Sequence, residues 1–210
     1  MKKLLLAFCL LAVSYVTFAQ LPTIGIRGGV QFAKLMIGAE GTNVTVTTGT
    51  LTTYTVGAFA DFKFGNVSFQ PALNYTGRGG EFTGGGVTAK FNLHYFQVPL
   101  NIVYHVPVLV GNVYFGAGPY VAFGVSGTTT ANDGSGEQSA NVVFGGTNGD
   151  FNSTDIGING IAGIQFKSGF LIHMNYDLGL VNILDNNNPN NTGGGQFKTR
   201  TWGLSIGYAF

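Results

Sequence analysis

Apolar residues along this chain recur with a period of two. At the C-terminus Trp202, Leu204, Ile206, Tyr208 and Phe210 alternate with Thr201, Gly203, Ser205, Gly207 and Ala209. The same pattern sets Val67, Phe69, Leu73 and Tyr75 against Ser68, Gln70, Asn74 and Thr76. It sets Phe170, Ile172, Met174, Tyr176 and Leu178 against His173, Asn175, Asp177 and Gly179. Residues two apart share one face of a strand, so each segment predicts a strand with one oily face and one small or polar face. A soluble sandwich alternates too. Here the apolar face is large and aromatic while the other is rich in Gly, Ala, Ser and Thr, which suits a greasy exterior around a cramped lumen.

Eight such segments occur, at 23–34, 53–64, 67–78, 92–104, 112–125, 155–167, 169–182 and 199–210. Eight is the smallest even strand number of an outer-membrane barrel. Twelve residues at a rise of about 3.4 Å extend about 40 Å, and a tilt near 40° projects this to about 30 Å, enough to cross the apolar band. The connections are long at 35–52, 79–91, 126–154 and 183–198, and short at 65–66, 105–111 and Ser168. Outer-membrane barrels have short periplasmic turns and longer outer loops. The expected fold is therefore all-β, an eight-stranded antiparallel up-and-down transmembrane β-barrel, with both ends of the mature chain periplasmic and the long polar segments capping the outer rim as solvated loops. Aromatic girdles are expected from Tyr54, Tyr75, Phe96, Phe123 and Trp202 at the outer rim. At the inner rim they are Phe64, Phe69, Tyr104, Phe115, Phe166, Phe170, Tyr208 and Phe210. Pro71, Pro99 and Pro119 fall inside these strands, where a closed sheet has no free edge, so each is expected to mark a bulge or register break.

Composition narrows the setting. Charged residues make up 9% of the 210 residues, against roughly 25% in a soluble domain. Glycine is abundant at 34 residues, but 13% aromatics and the lack of a G-X-Y period exclude collagen-like and disordered chains. The opening MKKLLLAFCLLAVSYVTFAQ carries Lys2 and Lys3, an apolar run from Leu4 to Val13, and Ala19 before Gln20. This reads as a cleaved secretory signal at 1–19 followed by a barrel domain at 20–210, because the run is too short to span a bilayer. A lipoprotein signal at Cys9 is disfavoured by the bulky Phe8 and the short run before it. Removing the leader removes Lys2, Lys3 and the sole cysteine, taking ten basic residues to eight against nine acidic ones, net −1. Nucleic acid is excluded as a partner, since no basic stripe exists to track a phosphate backbone.

Alternation points Arg27, Gln31, Asp61, Lys63, Gln70, Asn74, Gln97, Asn101, Asp155, Lys167, His173 and Asp177 into the lumen. A polar network among Arg27, Asp61, Lys63, Asp155, His173 and Asp177 is expected, with an ion pair between Arg27 and Asp61 on neighbouring strands. An eight-stranded barrel is just wide enough to be filled by its own side chains, so an open porin is not expected. Neither is an enzyme, since His94, His105 and His173 lie on separate segments without an adjacent acid–base partner. The run Asn132 to Glu137 has oxygen ligands but not the EF-hand spacing, and Gly84 to Gly86 and Gly193 to Gly195 lack the strand-to-helix phosphate pattern. No metal and no cofactor are expected.

The chain resembles the PorT-like outer-membrane β-barrel proteins. The resemblance rests on Gly25, Gly28, Gly29 and Val30, on Leu73, Asn74, Tyr75 and Gly77, and on His94, Tyr95, Phe96, Val98, Pro99 and Leu100. It continues through Tyr114, Gly116, Gly118, Pro119 and Tyr120, then Asp155 and Gly157, then Tyr176, Gly179, Leu180, Asn182 and Ile183, and ends at Gly207, Tyr208 and Phe210. It covers essentially the whole mature chain. The resemblance implies that Tyr208 and Phe210 form a terminal signal for the barrel-insertion machinery, and that Pro99 and Pro119 occupy positions where similar proteins carry proline. The expected role is structural or surface-recognising, in contact with outer-membrane lipids and a surface ligand. The resemblance adds the alternative of an accessory part of a secretion apparatus. A soluble lipocalin-type barrel holding an apolar ligand is the alternative from another class.

Overall fold

A strand in hydrocarbon has no water to satisfy its backbone, so only a sheet closed on itself can cross a membrane with strands. The computed structural model describes residues 21–39, 45–134, 136–145, 150–184 and 195–210 and closes in this way. Its strands are β1 (Thr23–Ala39), β2 (Thr45–Thr47), β3 (Leu51–Phe64), β4 (Val67–Gly84), β5 (Val87–Val108), β6 (Gly111–Asn132), β7 (Glu137–Asn141), β8 (Thr154–Phe166), β9 (Phe170–Gly179) and β10 (Gly195–Ala209). The wall is an antiparallel ring of eight, β1-β3-β4-β5-β6-β8-β9-β10, sealed by β10 on β1 from Gly25↔Ala209 to Ala39↔Gly195. The short strands β2 and β7 pair with β1 and β6. No helix among the described residues is long and apolar enough to cross a membrane. The expected leader at 1–19 lies outside the described residues.

The oily face is the outer one. Trp202, Leu204 and Ile206 are 45%, 44% and 72% exposed, whereas Thr201, Gly203 and Ser205 between them are buried. Phe69, Leu73, Ile172 and Met174 likewise face out, and Ser68, Gln70, Asn74 and His173 face in. A soluble ligand-binding barrel would show the reverse. Stacked Phe32 and Trp202 (4.3 Å between centroids) mark one edge of the apolar belt, and Phe170, Tyr208 and Phe210 (5.2–5.3 Å between successive rings) mark the other.

Several sequence expectations need correction. Residues 79–91 are not a loop: β4 and β5 run on as paired strands to a two-residue turn at Gly85 and Gly86, with φ of +61° and +82°. Two consecutive positive φ values match the twist of a tight hairpin and favour glycine, which explains the Gly84–Gly86 run. Part of 126–154 is strand as well, since β6 reaches Asn132 and β7 folds back on it. The prolines do not break register. Pro71 pairs with Leu100 and Pro99 with Tyr120, and although ladder pairs are skipped beside them, the offset is the same on either side. Each proline removes one donor and leaves the alignment intact. The register shift in the β5–β6 ladder lies between His94 and Tyr95 instead.

Placing a cation in the middle of the lipid-facing wall tests this orientation. Leu204→Arg is expected to cost about 2–4 kcal/mol in urea titrations of the barrel in bilayers. Unchanged stability would mean that Leu204 does not meet lipid.

Candidate functional site

The lumen is filled in layers. Its centre is Arg78, whose side chain is fully buried and which sits on the inward face of β4 after Ser68, Gln70, Asn74 and Thr76. Its Nη1 donates to Asp155 across the barrel, to the Tyr120 hydroxyl (2.9 Å) and to Thr199 Oγ1 (3.2 Å), while Nη2 reaches Asp177 Oδ2 at 3.5 Å. Thr199 Oγ1 donates in turn to Asp155 Oδ2 (2.7 Å), and Asn159 Nδ2 to Asp177 Oδ1 (2.5 Å). The guanidinium also lies over the rings of Tyr120 and Tyr95, at 4.6 and 5.5 Å from their centroids. Taking charges out of water is costly unless they are paired and hydrogen-bonded, and this cluster pairs its charges and gives most of their polar atoms a partner, Arg78 Nε and Asp155 Oδ1 being the exceptions.

The next layer toward the chain termini holds Arg27. Its guanidinium meets His173 Nδ1 at 3.4 Å and Asn74 Oδ1 at 3.5 Å, and lies 5.5 Å from the Phe59 ring centroid. A guanidinium can only donate, so His173 Nδ1 serves as the acceptor, for Arg27 and for the Tyr114 hydroxyl at 3.0 Å. Gln31 and Asn175, and Asn101 and Asn159, are joined at 3.1 and 2.7 Å. A cavity of about 10 Å³ remains between Arg27, Asn74, His173 and Ser205, space for a single water.

The expected Arg27–Asp61 pair does not form. The β1–β3 register sets Arg27 opposite Gly57 and Thr23 opposite Asp61, so the carboxylate lies four residues, about 13 Å along the strand, nearer the terminal rim. There Asp61 meets Lys63 Nζ at 3.8 Å and His105 Nε2 at 3.5 Å. Lys63 is 30% exposed at this rim, and Lys167 is exposed in the turn after β8 rather than inside. Ser68 Oγ is 2.8 Å from the same His105 Nε2. Serine, histidine and aspartate thus come together where sequence reading saw no such neighbours, yet both partners crowd one ring nitrogen, whereas a nucleophilic relay places them on opposite nitrogens.

The end opposite the termini is closed by apolar groups. Leu35, Leu93, Tyr95, Tyr120 and Ala122 from the strands pack with Phe151 and Ile183, and Phe144, Val142, Leu184, Phe91 and Phe197 surround them. The segments expected to be wholly solvated therefore send a plug into the mouth. Asn182 pins it, its Oδ1 accepting from the backbone N–H groups of Leu184 (3.1 Å) and Phe197 (2.7 Å). Beyond the mouth, β4 to β7 continue as a projecting sheet with a surface ion pair between Glu81 and Lys90 (3.7 Å). In the run 132–137, Asn132 Oδ1 accepts from the Gly134 N–H at 2.9 Å, an Asx turn. Among the described residues no group of His, Cys, Asp or Glu is placed to hold a metal ion. Phe210, the residue of the expected insertion signal, is 74% exposed beside Tyr208.

Comparison with known proteins agrees with this architecture. Residues 18–185 match the outer membrane protein beta-barrel domain family, and the chain belongs to it. It is thus a small β-barrel protein of the outer membrane. Among solved structures it is similar to Ail, the attachment invasion locus protein of Yersinia pestis (17% identity, TM-score 0.45, 91% of this chain and 100% of that chain). It is also similar to the outer membrane protein OprG from Pseudomonas aeruginosa (14%, 0.45, 91% and 97%) and to Neisserial surface protein A (9%, 0.43, 89% and 97%). No curated protein matches it.

The layering predicts unequal couplings. A double-mutant cycle on Arg78 and Asp155 is expected to give a coupling of about 0.5–3 kcal/mol, and Arg78→Ala alone to cost about 3–5 kcal/mol by leaving two buried carboxylates uncompensated. The Arg27 and Asp61 cycle should be near zero. Equal couplings in urea titrations would reject the layered arrangement.

Proposed function

We propose that this protein is a closed, non-enzymatic barrel whose role is structural or surface-recognising, exercised through the segments beyond its plugged mouth. The observation that carries this reading is the filled lumen. With a cavity of about 10 Å³ at mid-height and an apolar cluster across one end, the described residues leave no aqueous path for solute. The projecting β4–β7 sheet carries polar surface. Its groove, lined by Thr88, Lys90, Thr130, Asn132 and Glu137, supplies hydroxyls, amides and both signs of charge to a surface ligand. The turns at Gly65–Asn66, Leu109–Val110 and Lys167–Gly169 share one end with the termini, and the short-turn rule supports a periplasmic position for that end and an outer one for the sheet.

The PorT-like resemblance supports a second reading, an accessory part of a secretion apparatus. The outer edge of β7 is favourable to it: all five residues are exposed and, among the described residues, β7 pairs with β6 alone, which leaves a second row of backbone groups for a partner strand. Co-purification with a secretion complex would select this reading over a stand-alone barrel.

Orientation and closure are tested together. The chain has a single cysteine, Cys9 in the expected leader, so once that leader is removed a cysteine introduced elsewhere reports one site. On intact cells, Asn141→Cys is expected to react with a membrane-impermeant maleimide and Asn66→Cys only after lysis. In planar bilayers the protein should show no porin-scale conductance. Reversed labelling or steady large conductance would overturn the proposal.

A further inference from the structure

Lys34, Lys198 and Arg200 form a cationic cluster on the outer wall, at the loop end of the seam between β1 and β10. Lys34 stands directly opposite Arg200, and Lys198 opposite Met36, two residues further on. Their neighbours Leu35 and Thr199 are fully buried in the lumen, so alternation turns all three cations outward. Like charges directly opposite one another across a ladder, with Cβ atoms about 4.5–5.5 Å apart, destabilise a sheet unless an anion lies between them. Among the described residues, no carboxylate lies within ion-pair distance of any of the three. Arg200 Nη1 is held by the carbonyls of Gly179 (2.7 Å) and Thr199 (2.8 Å), which fixes the guanidinium against the wall.

Height decides what meets this cluster. The stacked pair Phe32 and Trp202 lies two residues below Lys34 and Arg200. From Phe210 to Trp202 the outward row is entirely apolar or aromatic, and its eight steps project to about 21 Å at a 40° tilt, close to the apolar thickness of an outer membrane. The cations therefore begin where the acyl chains end, at the depth of the headgroups. We propose that Lys34, Lys198 and Arg200 bind the phosphate of a phosphorylated glycolipid headgroup in the leaflet that surrounds the loop end. With Nη1 held by the two carbonyls, Arg200 keeps its Nε and Nη2 edge as a planar fork for two phosphate oxygens, and the lysines contribute point charge on either side. The proposal rests on the orientation argued above, with the loop end outermost.

Trp202 is the only tryptophan in the chain and lies beside the cluster, so its fluorescence reports occupancy. The full-length mature barrel in uncharged maltoside micelles would be titrated with diphosphorylated lipid A, with phosphatase-treated lipid A and with inorganic phosphate. The expected result is a saturable change in Trp202 emission with the phosphorylated lipid, weakened about tenfold or more in Lys34→Gln/Lys198→Gln. Barrel integrity of the variant is checked by its heat-shifted gel migration, and an Arg200→Lys variant, which keeps the charge but loses the fork, should fall between the two. Equal response to dephosphorylated lipid, or no loss in the double variant, would overturn phosphate recognition. Saturation by inorganic phosphate at the same affinity would reduce the site to a free-anion site and overturn the lipid assignment. Reversed cysteine labelling with an intact titration would remove the orientation alone, whereas correct labelling with a flat titration would remove this inference alone.

Discussion

Every backbone donor and acceptor in a hydrocarbon layer needs a partner, and everything else in this molecule follows from that demand. It forces the sheet to close, and closing eight strands leaves an interior just wide enough for side chains. The exterior can then be aliphatic and aromatic without cost, while the interior must satisfy each polar group it admits. Arg78, Asp155, Asp177, Tyr120 and Thr199 are joined in one network, and Arg27, Asn74, His173 and Tyr114 in another. Both buried carboxylates of these layers pair with Arg78, whereas Arg27 is held by the neutral acceptors His173 and Asn74.

The barrel also manages its two ends differently. At the terminal rim Asp61, Ser68 and His105 are buried beside the partly exposed Lys63, and Phe59, Ala72, Leu171 and Ala209 form a small apolar cluster. At the far rim a larger apolar cluster built from strands and connecting segments shuts the mouth. A molecule built for flux would leave at least one end wet and open. The asymmetry leaves the β4–β7 sheet projecting beyond the apolar cluster.

How much of this was legible in the sequence depends on which question the residues answer. A period of two states which face a residue takes, so the outward position of Trp202, Leu204 and Ile206 and the inward position of His173, Asp155 and Asp177 could be read directly. The same period carried one step past Thr76 points Arg78 inward, but the glycines that follow have the composition of a loop. They serve contact instead: a Cβ at Gly80 would collide with Thr48 Oγ1, so glycine there lets a connecting segment press against the wall. Periodicity does not state height, because the stagger between tilted strands is invisible to it, and this is why Arg27 and Asp61 seemed matched. Isolated apolar residues such as Phe144, Phe151 and Ile183, scattered through polar segments, carry no period at all, so the plug could be found only in three dimensions.

The arrangement around Arg78 has a consequence for assembly. Its partners come from β6, β8, β9 and β10, whereas Arg78 itself is on β4, and in an unrolled sheet β4 is separated from β8 by two intervening strands. No partly built hairpin array can neutralise this guanidinium; only curling the sheet brings the opposite wall within reach. The compensation arrives late and all at once, so a half-rolled chain is left carrying a bare cation. Sealing the seam is thereby favoured over lingering as an open sheet.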